Sequence, residues 1–147
     1  MGFYLEYMST WPEYFTTAEA PDTTVMGYVM GKSEGKEELW HGHVTAVTVA
    51  PEFRRLGLAS QLMDTLENVS EHAYNAFFVD LFVRDSNSLA IGMYRKFGYE
   101  VYRRVLGYYS GEIPEDGLDM RKALPRDPEK KSMVPIEHPI QPEELEW

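Results

Sequence analysis

A nearly continuous apolar run at residues 76–83 constrains this chain more than any other feature of its sequence. The run holds the large side chains Phe77, Phe78, Val79, Leu81 and Phe82. Such a pattern is typical of a strand that is buried on both faces. The chain must therefore supply further layers that cover a central sheet.

Two amphipathic patterns flank this run and predict the covering helices. The first runs from Leu58 to about His72, with an apolar stripe formed by Leu58, Leu62, Leu66 and Val69. The second runs from about Asn87 to Phe97 and points Ala90, Met93, Tyr94 and Phe97 inward. Gly98 follows it as a natural helix stop.

The remaining elements predict an α/β (α+β) fold in which strands and helices alternate. Residues Tyr4, Met8 and Trp11 have helical spacing up to Pro12. Strands are expected at 14–20 and 25–31, joined by a Pro-Asp-Thr-Thr turn, and then at 43–50, 99–109 and 119–124.

The chain divides into one domain and a proline-rich arm. Its 147 residues, 44% apolar and 26% charged, have the composition of a single globular domain. Five of the nine prolines fall in the last twenty-three residues, and such a segment cannot hold a regular helix or a central strand. We therefore predict a domain at 1–124 and an acidic, extended arm at 125–147, either packed or disordered.

Charge and cysteine content exclude several classes of function. The net charge of −10 is concentrated at the two ends, whereas residues 54–104 carry +1. General nucleic-acid binding needs dense Lys and Arg, so we expect no direct nucleic-acid partner. No apolar run approaches a membrane span, no secretory signal is evident and cysteine is absent, so we expect a cytoplasmic protein without a membrane association.

A glycine-opened turn between a strand and a helix is the strongest candidate for a binding site. The segment after Val49 contains Arg54 and Arg55, and then the helix start Gly57-Leu58-Ala59-Ser60. A helix start offers unpaired N–H groups and partial positive charge, and glycine lets a ligand approach the backbone. The sequence thus predicts an anion-binding site, although a plain loop with solvated arginines fits the same residues.

Two ordered motifs in this region resemble the GNAT acetyltransferases. Arg54-x-x-Gly57-x-Ala59 resembles the family's acetyl-CoA pyrophosphate signature, and Asn87-x-x-Ala90-x-x-Met93-Tyr94-x-x-x-Gly98-Tyr99 resembles its second helix on the coenzyme side. Further stretches at 40–46, 79–84, 108–110 and 119–124 resemble the catalytic subunits of NatB-type amino-terminal acetyltransferases. The resemblance implies a central, mixed and mostly antiparallel sheet flanked by helices.

The resemblance also implies an N-terminally shortened version of that fold. GNAT domains begin with a strand and a helix before the position of the helix expected at Phe3–Trp11, and we expect this chain to lack both. In the NatB family that region forms one wall of the peptide groove and helps to bind the auxiliary subunit.

The resemblance implies direct acetyl transfer from acetyl-CoA to the α-amine of proteins that begin Met-Asp, Met-Glu, Met-Asn or Met-Gln. The implied partners are nascent protein N-termini and a large helical-repeat auxiliary subunit, which links the enzyme to the ribosome. Tyr94 is the implied catalytic acid that protonates the departing thiolate. The implied cofactor-binding residues are Val47, Val49, Arg54, Arg55, Gly57, Leu58, Ala59, Ser60, Asn87 and Tyr94.

The substrate side is expected on the strand that precedes the glycine turn. Simple strand alternation puts His41, His43, Thr45, Val47 and Val49 on one face, and Val44, Ala46 and Thr48 on the other. The resemblance implies that His43 and Thr45 hold the acidic second side chain of the acceptor, and that Tyr108 and Tyr109 line the pocket for its methionine. Structural roles for these residues remain open alternatives.

Three further alternatives follow from the same residues. A His41/His43 metal pair has no third ligand at motif spacing, so we expect no metal. A non-catalytic acetyl-CoA-binding isoform or regulatory subunit would result if the peptide side were incomplete. A GNAT enzyme for small amines would need an acidic pocket for a cation, and His43 argues against one.

Overall fold

The computed structural model describes residues 11–54 and 57–145. It contains six strands, β1 (Thr16–Glu19), β2 (Val25–Glu34), β3 (His41–Val49), β4 (Phe78–Arg84), β5 (Glu100–Tyr109) and β6 (Glu115–Ala123). Two α-helices are present among these residues, α1 (Leu58–His72) and α2 (Ser88–Lys96). The helix expected at Phe3–Trp11 falls almost entirely outside the described residues.

The six strands form one sheet in the order β1-β2-β3-β4-β6-β5. The β3–β4 pair is parallel and the other four pairs are antiparallel. The predicted fold class, with a mixed and mostly antiparallel sheet flanked by helices, is confirmed. The last strand begins at Glu115, four residues earlier than expected, because pairing with β5 recruits a polar segment that has little strand pattern of its own.

Both helices pack on one face of the sheet and share one core with it. Leu62 and Leu66 of α1 and Tyr94 of α2 lie in the same buried cluster as Val79 and Met120 of the sheet. The apolar residues of α1 recur every three or four positions, so they form a single stripe that faces the strands. The core thereby holds the first turn of α1 beside the end of β3.

A β-bulge in β3 overturns the expected alternation of its side chains. Met30 of β2 lies opposite Ala46, whereas Gly31 lies opposite Val44, so Thr45 is the extra residue. An extra residue shifts the alternation that follows it. Val47 and Val49 therefore share the helix-covered face with Val44, while His43 lies on the opposite face, and the prediction that Val47 and Val49 share a face with His43 is wrong.

The proline-rich arm packs along the outer edge of β5. The N–H of Ile136 donates to the carbonyl of Tyr102, the N–H of Ile140 donates to Arg104, and the N–H of Leu106 donates to Ile140. Ile140 is buried. These contacts cover the backbone groups of an edge strand that would otherwise be open to another chain.

Among the described residues, no helix is long and apolar enough to cross a membrane.

Tyr14 connects α1 to the sheet through two buried hydrogen bonds, and its replacement tests their contribution to stability. Its hydroxyl lies 2.8 Å from Oγ of Ser33 on β2 and 2.7 Å from Oγ of Ser70 on α1. We expect Tyr14→Phe to lower the free energy of unfolding by about 1–3 kcal/mol, because two buried serine hydroxyls lose their partner. Urea denaturation measures the change.

Tyr28→Phe is the matched control for this change. Tyr28 also lies on β2, and its hydroxyl makes no hydrogen bond to any part of the chain that the structure describes. An equal loss of stability in the two variants would contradict the role assigned to the Tyr14 hydroxyl.

Candidate functional site

The candidate site begins where β3 and β4 separate. The two strands pair in parallel over His41–His43 and Phe78–Asp80, and no pairing between them is present beyond this point within the described residues. Both strands nevertheless continue, to Val49 and Arg84. Backbone groups of β3 that face this opening are available to a ligand, since β4 no longer uses them.

A cavity of about 970 Å³ lies at this opening, on the helix-covered side. Its walls come from the end of β3, the first turn of α1, and α2. It brings together all of the cofactor-binding residues expected from the sequence that the structure describes: Val47, Val49, Arg54, Gly57, Leu58, Ala59, Ser60, Asn87 and Tyr94. Arg55 lies outside the described residues.

The first turn of α1 has the geometry of an anion-binding site. Gly57 precedes the helix in a left-handed conformation, with φ of 76°, which glycine adopts without strain. A Cβ built there would meet no atom within 4 Å, so the space beside this backbone is open. The first N–H groups of the helix have no partner within it, and they favour negative charge together with the helix dipole.

Basic side chains from two elements line the same cavity. Arg54 is exposed, and its Nε lies 3.4 Å from the carbonyl oxygen of Val49. Lys96, in the last turn of α2, faces the cavity from the other side. Lys96 was not predicted as a site residue because it occupies an unspecified position of the second motif, between Tyr94 and Gly98, and only the packing of α2 brings it to the cavity.

Helix α2 positions Tyr94 at the inner end of the cavity. The side chain of Asn87 caps the helix by accepting a hydrogen bond from the N–H of Ala90, at 3.1 Å. Tyr94 is 8% exposed. Burial, and secondarily the nearby Tyr109, raise the pKa of Tyr94 to about 12. Its hydroxyl therefore keeps its proton near neutral pH and can donate it to a reacting atom.

The opposite face of the sheet carries a histidine and a row of aromatic rings. Nδ1 of His43 lies 2.7 Å from Oδ1 of the buried Asp80, at the last paired position before the strands separate. Beside it, Phe82 stacks on Tyr108 with 4.6 Å between ring centroids. Tyr109 packs edge-on against Tyr108. His43 and Tyr108 therefore lie on the same face of the sheet, each packed against Phe82. Tyr109 packs against Tyr108 and also lies near Tyr94.

Thr45 lies at the β-bulge of β3, so the expected strand alternation does not place it together with His43. As the extra residue of the bulge it stands between Val44, which lies opposite Gly31, and Ala46, which lies opposite Met30. The strand pattern that paired Thr45 with His43 does not survive the bulge, and a single sequence carries no signal for a bulge at this position.

Asp80 and Phe82 are site residues that the sequence argument missed. Asp80 was visible as a single carboxylate inside an apolar run, and that was the signal that could have found it. Nearby, burial and the charge of Asp80 raise the pKa of Asp119, against the lowering effect of Arg121 and Arg103. Among the residues that the structure describes, no group of three His, Asp or Glu side chains converges to hold a metal ion.

The chain matches the model of the acetyltransferase (GNAT) family over residues 2–99. It is 63% identical over 147 residues to the catalytic subunit of the N-terminal acetyltransferase B complex of Arabidopsis thaliana. That alignment covers 100% of this chain and 83% of the plant protein.

Solved structures of N-terminal acetyltransferases are also similar to this chain. The crystal structure of Chaetomium thermophilum Naa20 in complex with a bisubstrate analogue superposes with a TM-score of 0.87 at 40% identity, over 97% of this chain and 83% of that one. A structure of the NatB acetyltransferase complex bound to CoA and MES superposes with a TM-score of 0.76 at 44% identity, over 84% of this chain and 82% of that one.

Proposed function

Since this chain belongs to the GNAT acetyltransferase family, we propose that it transfers the acetyl group of acetyl-CoA to the α-amine of proteins that begin Met-Asp, Met-Glu, Met-Asn or Met-Gln. One observation carries the proposal. The β3–β4 pairing ends at His43 and Asp80, with an anion-binding helix start beside the end of β3 on one face and His43 with its aromatic neighbours on the other. A donor and an acceptor can therefore meet inside the sheet from opposite sides.

The cavity side suits the diphosphate and pantetheine of acetyl-CoA. The first N–H groups of α1, with Arg54 and Lys96, supply positive potential for the phosphates. The apolar walls, Val47 and Met93 among them, suit the pantetheine chain. The relative bound to CoA supports this assignment.

The chemistry asks little of a general base. A free α-amine has a pKa near 7.7–8.0, so its deprotonation at pH 7 costs only about 1 kcal/mol. The amine attacks the thioester carbonyl, and a backbone N–H of residues 47–49 stabilises the oxyanion that forms. Tyr94 then donates its proton to the departing thiolate as the C–S bond breaks, while the attacking nitrogen releases its extra proton to water and Tyr94 regains a proton from water. Direct transfer of this kind needs no covalent enzyme intermediate.

The opposite face suits the first two residues of the acceptor. Tyr108 and Tyr109 supply apolar ring surface with polar edges, which suits a methionine thioether. His43 is a candidate partner for the second side chain, and Thr45 lies near it in sequence.

We further propose a NatB-type assembly. The relatives that form N-terminal acetyltransferase B complexes support a large auxiliary subunit as partner. With that subunit the protein would act on nascent chains at the ribosome, in the cytoplasm.

A peptide-transfer assay tests the function. We expect the protein, with the auxiliary subunit, to transfer radiolabelled acetyl to a Met-Asp peptide at least about tenfold faster than to a peptide that begins with Ser, because His43 and the tyrosine pair select for the first two residues. Parallel reactions omit the auxiliary subunit. Binding of acetyl-CoA without transfer in either condition would indicate a non-catalytic subunit. Preferential transfer to a small amine would indicate a GNAT enzyme for small amines.

Gly57→Ala tests the anion-binding turn. The new methyl group has open space in the free protein but stands where a phosphate would approach, so we expect coenzyme A to bind about tenfold or more weakly by titration calorimetry. Gly107→Ala is the matched control, since Gly107 also has positive φ, 59°, and open space. Both variants carry a similar backbone strain of about 1–2 kcal/mol, so equal affinities would contradict the proposed phosphate site.

Tyr94→Phe tests the acid role. We expect kcat to fall about a hundredfold while the dissociation constant of acetyl-CoA changes less than about twofold, because only the transferable proton is lost. Tyr74→Phe is the control, since its hydroxyl hydrogen-bonds to Glu13 away from the cavity. Steady-state kinetics measures kcat, and titration calorimetry measures the dissociation constant of acetyl-CoA. An unchanged kcat in Tyr94→Phe would contradict the acid role of Tyr94.

A further inference from the structure

Asp80 is a buried charge that the mechanism above does not use. Its carboxylate lies between two imidazoles, with Oδ1 2.7 Å from Nδ1 of His43 and Oδ2 3.3 Å from Nε2 of His41. Burial alone would raise the pKa of Asp80, but the charges and hydrogen bonds of His43 and His41 hold it well below its ordinary value. Asp80 is therefore ionised, and a carboxylate can only accept hydrogen bonds.

An acceptor at this distance fixes which nitrogen of His43 carries a proton. Nδ1 must donate to Asp80, so it keeps its hydrogen whether the ring is neutral or cationic. Nε2, on the other side of the ring, makes no hydrogen bond within the described residues, and 15% of the side chain is exposed. Nε2 accepts a hydrogen bond when the ring is neutral and donates one when it is cationic.

We propose that Asp80 is a positioning residue that keeps His43 in the Nδ1–H tautomer, so that the proton at Nε2 selects between acidic and amide side chains at the acceptor's second residue. The inference rests on the proposed function, since His43 must face that side chain. A substrate carboxylate only accepts hydrogen bonds, so it pairs with the cationic ring alone. A substrate amide both donates and accepts, so it pairs with either form.

Every element around His43 contributes a charge or a titratable group. From β2, Lys32 lies opposite His43 in register and forms an ion pair of 3.1 Å with Glu34. From β5 and β6, Tyr108 and the Asp119 carboxylate with its arginines lie beyond Asp80.

His41 is the second imidazole beside Asp80. Burial would lower the pKa of His41, but the charge of Asp80 and the interactions of the ring with the acceptor oxygens of Asp80, Glu34 and the Leu39 carbonyl raise it to about 9. His41 is therefore cationic near neutral pH. The His43 side chain is partly exposed whereas that of His41 is fully buried, so His43 is the ring that a substrate can contact.

The pH dependence of selectivity tests the inference. Two peptides that differ only in Asp or Asn at the second position are compared by kcat/KM from pH 6 to pH 9, with the auxiliary subunit present. Both carry the same α-amine, so its titration cancels in the ratio. We expect the Asp/Asn ratio to fall about tenfold or more as pH rises, because the donor at Nε2 disappears.

Three variants assign the effect to residues. Asp80→Asn has nearly the same shape, and its amide can donate to Nδ1, so the neutral ring can carry its proton on Nε2 and the pH dependence of the ratio should be lost. His43→Gln has no imidazole and should give a flat ratio as well. His72→Gln replaces a histidine whose side chain is 72% exposed and should keep the wild-type slope.

The outcomes separate this inference from the proposed function. A flat wild-type ratio with both peptides acetylated would overturn the inference alone, whereas acetylation of neither would overturn the function. An unchanged slope in Asp80→Asn would also reject the role of Asp80. If that variant does not fold, imidazole ¹⁵N spectra of the wild type decide, since the neutral His43 ring must be protonated at Nδ1, and protonation at Nε2 refutes the proposal.

Discussion

The separation of β3 from β4 after His43 and Asp80 determines where both sides of the candidate site lie. A sheet normally closes its interior, because each strand satisfies the backbone groups of its neighbour. Here the parallel pair is held at one end only. Beyond that point β3 and β4 no longer pair within the described residues, and the helices on one face and the aromatic rings on the other define what can approach from each side.

The two faces of this opening differ in the kind of charge they can accept. On the helix-covered face, free N–H groups and basic side chains favour phosphates, although the chain as a whole carries −10. On the other face, the ionised Asp80 lies between two histidines and opposite Arg121 in register, and Asp119 lies opposite Phe82, two positions along β4. A buried carboxylate is costly unless it is paired. Its hydrogen bonds therefore hold the neighbouring rings in defined orientations, and His43 is the one that reaches the cleft.

Much of the fold could be predicted because its signals are local. The stripe of α1, the Asn87 cap and the Gly98 stop each depend on residues within a few positions of one another, and the observed helices lie within one or two residues of those expected. The apolar run at 76–83 predicted β4 for the same reason. The first four residues of β6 were missed because their strand conformation comes from pairing with β5.

Hydrophobic periodicity and glycine chemistry act over a few residues, so the amino-acid sequence alone predicts most of the helices and strands and the turn that could bind an anion. The tertiary structure decided which side chains share a face and which pairs meet. The bulge at Thr45 reversed the face of Val47 and Val49, and the β3–β4 register brought Asp80 of one strand to His43 of another. Both depend on strand pairing between residues far apart in the chain, and no local pattern encodes that.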